Sequence, residues 1–148
     1  MTYGHEVSFR LTNQSSELDT LFQKVTAFCQ SIKLSKKNTF QAGLVLEELF
    51  TNIVKYGYAD QGKHRVDFTL DYKDETLIFK IEYDGMPFSP DDVAQPDIQC
   101  RLEDRKFGGL GIHFIRHCMN DFFCERRGDK NIITVIKTCP TRKTNGNC

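Results

Sequence analysis

The sequence predicts an α+β fold, a two-layer sandwich in which three helices cover one face of a mostly antiparallel sheet. Three observations predict it. Apolar residues alternate with polar ones along five short stretches, as in half-buried strands. Three other stretches carry apolar residues at the 3.6-residue spacing of amphipathic helices. The order is β-α-α-β-β, a long connection, then α-β-β. Strands clustered as hairpins, and not alternating with helices, favour antiparallel pairing.

The 148 residues fit one domain with a real core. With 39% hydrophobic and 27% charged residues, wholesale disorder is excluded. Lys+Arg and Asp+Glu both number 20, a balance that argues against nucleic acid or a membrane surface as partner. The start, MTYGHEVSFRLTN, has no basic-then-apolar leader pattern, and no window is long and apolar enough to span a bilayer. A cytoplasmic location is the expectation. The cysteines at 29, 100, 118, 124, 139 and 148 form no C-x-x-C, so no paired cysteine–histidine zinc motif is present. They read as reduced thiols, with Cys29 and Cys118 on apolar helix faces and Cys148 exposed to oxidation.

In order, Val7, Phe9 and Leu11 mark the first strand, over 6–12. Asn13 to Ser16 break it, with Ser15 or Ser16 as a helix cap. Leu18, Leu21, Phe22, Val25, Phe28, Cys29 and Ile32 give the first helix its inner face. Ser35 caps a long second helix, about Lys36 to Tyr56, whose apolar arc is Ala42, Val45, Leu46, Leu49, Ile53 and Tyr56. Gly57 follows, a typical place for a left-handed closing residue. Val66, Phe68, Leu70 and Tyr72, then Leu77, Phe79, Ile81 and Tyr83, alternate on either side of a Lys73-Asp74-Glu75 turn and predict a hairpin. Residues 84–107 hold three of the four prolines and almost no periodicity, as a functional lid or binding loop would. The third helix runs from Leu110 to about Asp121, and two strands, Phe123 to Arg127 and Ile132 to Lys137, close the domain. Residues 139–148 read as a polar, disordered tail.

Three pieces can carry chemistry. On the second helix Glu48, Asn52 and Tyr56 stack at i, i+4 and i+8 along the flank of the apolar arc. A carboxylate and an amide one turn apart can look into a cavity beside the core, or be a solvated Glu with a stray Asn. The next piece is Asp84-Gly85-Met86-Pro87-Phe88, on its own a plain turn. The last is Gly108-Gly109-Leu110-Gly111, a joint or a phosphate cradle at a helix start, with Arg101, Arg105 and Lys106 just before it. The helix dipole supplies only about 0.3–1 kcal/mol, so basic side chains would have to help. It is neither a Walker A motif nor a Rossmann fingerprint. His113 and His117 stand one turn apart opposite the apolar arc and read as a surface pair. Glu47 and Glu48 diverge by about 100° and do not share a site.

Glu48-x-x-x-Asn52-x-x-Lys55-Tyr56 resembles the N-box of the Bergerat-fold (GHKL, histidine-kinase-like) ATPases, and more narrowly that of the anti-sigma regulatory serine-protein kinases. Gly85 and Pro87 resemble the G1 box, D-x-G-x-P, and Arg105-x-x-Gly108-Gly109-Leu110-Gly111 resembles the G2 box. The resemblance covers about residues 6 to 137. It implies an ATPase-type domain over 1–138 with a lid at about 86–107, Glu48 as general base and Asn52 as magnesium ligand. It also implies nucleotide contacts from Lys55, Tyr83, Asp84, Gly85, Arg105, Gly109, Leu110 and Gly111. The alignment puts Tyr83, not Asp84, where the family has its adenine-reading Asp. A Tyr hydroxyl can hydrogen-bond a base, the ring can stack on one, or the side chain can fill the pocket.

The function this implies is an anti-sigma regulatory serine/threonine-protein kinase. It binds ATP and Mg²⁺ and phosphorylates a STAS-type anti-anti-sigma partner. It can also sequester a sigma factor and form a homodimer. The alternative is a non-catalytic partner-binding module with a degenerate nucleotide site, which Tyr83 favours and Glu48 and Asn52 disfavour.

Overall fold

The computed structural model describes residues 5–60, 62–88 and 111–140, which build one antiparallel sheet and a helical layer. Strands β1 (His5–Thr12), β2 (Arg65–Lys73), β3 (Thr76–Tyr83), β4 (Asp121–Arg127) and β5 (Lys130–Thr138) line up in the order β1-β2-β3-β5-β4. Each neighbouring pair is antiparallel. Helices α1 (Leu18–Ser31), α2 (Lys36–Tyr56) and α3 (Gly111–Cys118) complete the predicted α+β sandwich.

Alternation in sequence becomes alternation in burial. Val66, Phe68, Leu70 and Tyr72 of β2 are buried, as are Leu77, Phe79, Ile81 and Tyr83 of β3. The register sets Phe68 opposite Ile81 and Leu70 opposite Phe79, so these side chains share one face. They form a single cluster with Leu21, Val25 and Phe28 of α1, and with Val45, Leu46, Leu49 and Ile53 of α2. Cys29 and Cys118 are inside, and burial pushes the Cys29 thiol up to about 11. The β2–β3 turn is tight. Asp74 and Glu75 both take positive φ, 53° and 59°, the backbone that a two-residue hairpin of right-handed twist requires.

Several local expectations need correction. Ser15 and Ser16 cap nothing; they lie in a 3-10 turn, Ser15–Glu17, and Glu17 instead accepts the Thr12 N–H at 2.9 Å. Ser35 does cap α2, accepting from the Asn38 N–H. Gly57 closes α2 at φ −76°, not left-handed. Glycine is needed there for space, because a Cβ would come within 2.5 Å of the Ile53 carbonyl oxygen. Phe22 is 52% exposed and Tyr56 56%, both at the margin of the arcs that were expected to bury them. Helix α3 ends at Cys118, because Asn120 is already tied to β5 through its own N–H to the Ile136 carbonyl and its Oδ1 to the Thr138 N–H. Cys139 belongs to the core and not to a tail: it is fully buried, donates its N–H to Glu75 and accepts from the Tyr72 hydroxyl at 2.7 Å. The rest of the expected tail, 141–148, and residues 89–107 of the lid expected at about 86–107 lie outside the described residues. No helix among those residues is long and apolar enough to cross a membrane.

Candidate functional site

Helix α2 carries polar groups inside the core. Glu48 and Asn52 are only 4% and 7% exposed, between Val45, Leu49 and Ile53. The one-turn spacing lets Asn52 Nδ2 donate to the Glu48 carbonyl at 2.8 Å and to Glu48 Oε2 at 3.3 Å. Both amide hydrogens thereby point back along the helix. The amide oxygen is a hard, neutral atom of the kind a hard cation accepts. Lys55 and Tyr56, further along α2, are on the surface.

The end of α2 meets the end of β3 through two glycines. The Gly57 carbonyl accepts the Met86 N–H at 2.7 Å. A Cβ on Gly85 would stand 2.1 Å from that carbonyl oxygen and 2.9 Å from the Tyr83 ring. Gly57 lies five residues past Asn52, about 7.5 Å along the helix. The Tyr83–Phe88 segment and the last turns of α2, Asn52 included, thus meet at one corner of the molecule.

Tyr83 is 3% exposed on the inward face of β3, while Asp84 is exposed, as strand alternation predicts. The Tyr83 ring meets Tyr58 edge-on, with centroids 5.9 Å apart, and Tyr58 stacks on His64 at 4.0 Å. His64 in turn contacts Asp60 at 2.7 Å, and that hydrogen bond holds the Asp60 carboxyl below its usual range. Burial raises the Tyr83 hydroxyl well above an ordinary tyrosine, with Tyr58 and Cys124 adding to it and Arg126 opposing. Burial, then the Asp84, Asp60 and Asp67 carboxylates, push Tyr58 up to about 12.

Some participants escaped the sequence reading. Asn131 of β5 sits opposite Tyr83 and is buried. It and Arg126 of β4 bind the backbone of Gly85 to Phe88. The signal was there: Asn131, Ile133 and Val135 share the inward face of β5, and an amide stands where that face should be apolar.

Of the expected third piece, Gly111 opens α3, and Arg105, Gly108, Gly109 and Leu110 lie outside the described residues. His117 is exposed, and no group of three His, Cys, Asp or Glu residues gathers into a metal site among the described residues. An amide oxygen such as that of Asn52 suits a magnesium ion that takes its other ligands from water and phosphate. The region around Tyr83 differs from the resemblance, since a buried phenol stands in place of a carboxylate.

Comparison with known proteins adds a family. The profile described as histidine kinase-like ATPase domain matches residues 11–137. The chain is 26% identical over 133 residues to the Serine/threonine-protein kinase BtrW of Bordetella bronchiseptica, covering 82% of this chain and 94% of that one. Among solved structures it resembles the RsbU and RsbW domains of Rv1364c from Mycobacterium tuberculosis, with a TM-score of 0.65 at 12% identity. That match covers 95% of this chain but only 35% of the other, so the likeness concerns the fold of one part of a longer protein.

Proposed function

The chain belongs to the histidine kinase-like ATPase domain family, and from that premise we propose that it is an anti-sigma regulatory serine/threonine-protein kinase. In this reading it binds ATP with Mg²⁺ and phosphorylates a Ser or Thr of a STAS-type anti-anti-sigma partner. The observation that carries the proposal is the buried pair Glu48 and Asn52, with the Asn52 amide hydrogens committed to Glu48. A domain that only bound a partner would have no use for such a pair inside its core, where polar groups are costly.

Bound ATP·Mg²⁺ supplies the phosphoryl group and the charge that eases its transfer. Asn52 Oδ1 would hold the metal. Glu48 takes the proton from the attacking hydroxyl as that oxygen bonds to the γ-phosphorus and ADP leaves. Arg105, Gly109, Leu110 and Gly111 bind the phosphates, Lys55 contributes positive charge, and Tyr83, Asp84 and Gly85 bound the base. Support for the kinase assignment comes from the relative named a serine/threonine-protein kinase, which this chain matches over nearly its whole length. Support for an anti-sigma setting comes from the sequence motifs and from the fold shared with an RsbW domain. Sigma-factor binding, a homodimer and a cytoplasmic location complete the proposal.

One observation favours the second reading, a partner-binding module without chemistry. The Tyr83 ring is buried against Tyr58 and Gly85, where the family would offer an acceptor for the adenine amino group. Calorimetry of ATP binding with and without Mg²⁺, on the wild type and on Asn52→Ala, separates the two. Magnesium-dependent binding that Asn52→Ala removes is expected of the kinase. No binding at millimolar ATP assigns the chain to the second class.

A further inference from the structure

Asn131 is 1% exposed at the first inward position of β5, opposite Tyr83. Its backbone continues the sheet, but its side chain serves a segment beyond it. Nδ2 donates to the Met86 carbonyl at 2.8 Å, and Oδ1 accepts the Phe88 N–H at 3.0 Å and Arg126 Nη1 at 3.2 Å. The carbonyl of one residue and the N–H of the residue two further on are the pair that a neighbouring parallel strand would engage. The amide thus acts as a one-residue strand bracketing Pro87, whose ring leaves no N–H to satisfy.

Other bonds complete the strap. Arg126 Nη1 also donates to the Gly85 carbonyl at 2.8 Å, and Cys124 Sγ reaches the Phe88 carbonyl at 3.2 Å. On the opposite side the Met86 N–H goes to Gly57. A chain of hydrogen bonds therefore runs from β5 through Met86 to the end of α2, the helix that carries Glu48 and Asn52. An apolar residue at 131 would have finished the core at lower desolvation cost. The amide is spent instead on fixing where Met86 and Phe88 stand.

We propose that Asn131 is a positioning residue: it sets the Tyr83–Phe88 segment against the end of α2, and nucleotide affinity depends on it. This rests on reading the corner as a nucleotide site. Asn131→Asp tests it, because the shape stays the same while a carboxylate oxygen replaces the donor facing the Met86 carbonyl. Amide hydrogen exchange of the nucleotide-free chain and MgATP calorimetry are measured together, with thermal melting as the control. Exchange at Met86 and Phe88 is expected to speed up, and the Kd for MgATP to rise, each by about tenfold, the equivalent of one hydrogen bond to a buried group. Should the buried variant not fold, Arg126→Lys, at an exposed residue of the edge strand β4, is the second variant, with the same two changes expected at smaller size.

Faster exchange with an unchanged Kd would make Asn131 merely structural and overturn the proposal. Unchanged exchange would show that there is no strap and overturn it at the first step. Failure of the wild type to bind MgATP would overturn the reading of the site and the affinity claim with it, a result distinguishable from the others because it needs no variant.

Discussion

The carbonyl oxygen of Gly57 occupies the space that a side chain at Gly85 would need, 2.1 Å from an ideal Cβ. The same oxygen accepts the Met86 N–H. One backbone atom therefore both requires glycine at 85 and fixes the next residue. Gly85→Ala forces backbone apart and is expected to destabilise the fold by about 1–3 kcal/mol, the usual range for overpacking. Chemical denaturation measures it; an unchanged midpoint would mean that the contact opens at no cost.

Glu48→Gln keeps the size of the side chain and its contact with Asn52 while removing its ability to take a proton. Nucleotide binding should persist, and phosphoryl transfer to a STAS-type partner should fall by about 10²–10⁴-fold, the range of a lost general base. A phosphotransfer assay with labelled ATP measures the rate. Transfer at the wild-type rate would remove Glu48 from that role.

Tyr83→Asp restores the family residue at the expense of a buried ring that packs on Tyr58 and Gly85. Stability should fall by about 3 kcal/mol, as for loss of a large core aromatic. ATP affinity should nevertheless rise by about tenfold, one hydrogen bond's worth. Melting and calorimetry on the same sample separate the effects, and weaker ATP binding by a folded variant would place the base elsewhere.

The Tyr58 hydroxyl is buried with no hydrogen-bond partner among the described residues. Tyr58→Phe keeps the stack on His64 and should leave stability unchanged or raised by about 1 kcal/mol. The effect depends on pH. In the folded state burial, and then the Asp84, Asp60 and Asp67 carboxylates, push this hydroxyl up to about 12 from the ordinary tyrosine value of 10.0. Between those values the unfolded chain has lost the proton and the folded one has kept it, so stability falls as pH rises through the window. Tyr58→Phe should make that fall shallower, measured by denaturation across alkaline pH. An identical slope in the variant would contradict the shift.

Much of the fold was legible because its residues obey a period. Alternation from Val66 to Tyr83 gave the central hairpin, and the inward and outward positions of Tyr83 and Asp84 with it. The 3.6-residue spacing gave α2 and placed Glu48 and Asn52 at the lip of its arc, where they are found buried. What stayed hidden depends on space and distant partners. No local pattern says that Gly57 is glycine because Ile53 crowds it, or that Asn120 leaves α3 early for β5. Asn131 is the polar residue in phase with buried ones whose backbone partners, Met86 and Phe88, lie more than forty positions back along the chain.

The sheet order also bears on how the molecule assembles in time. Two-residue turns, Asp74–Glu75 and Gly128–Asp129, close the β2–β3 and β4–β5 hairpins, and such local pairings form within about 1–10 μs. The seam between β3 and β5 joins segments far apart in the chain, a slower search. Tyr83 and Asn131 are the pair at one end of that seam. The corner where the nucleotide is proposed to bind therefore becomes whole only when both halves have met, and an unzipped seam dismantles it.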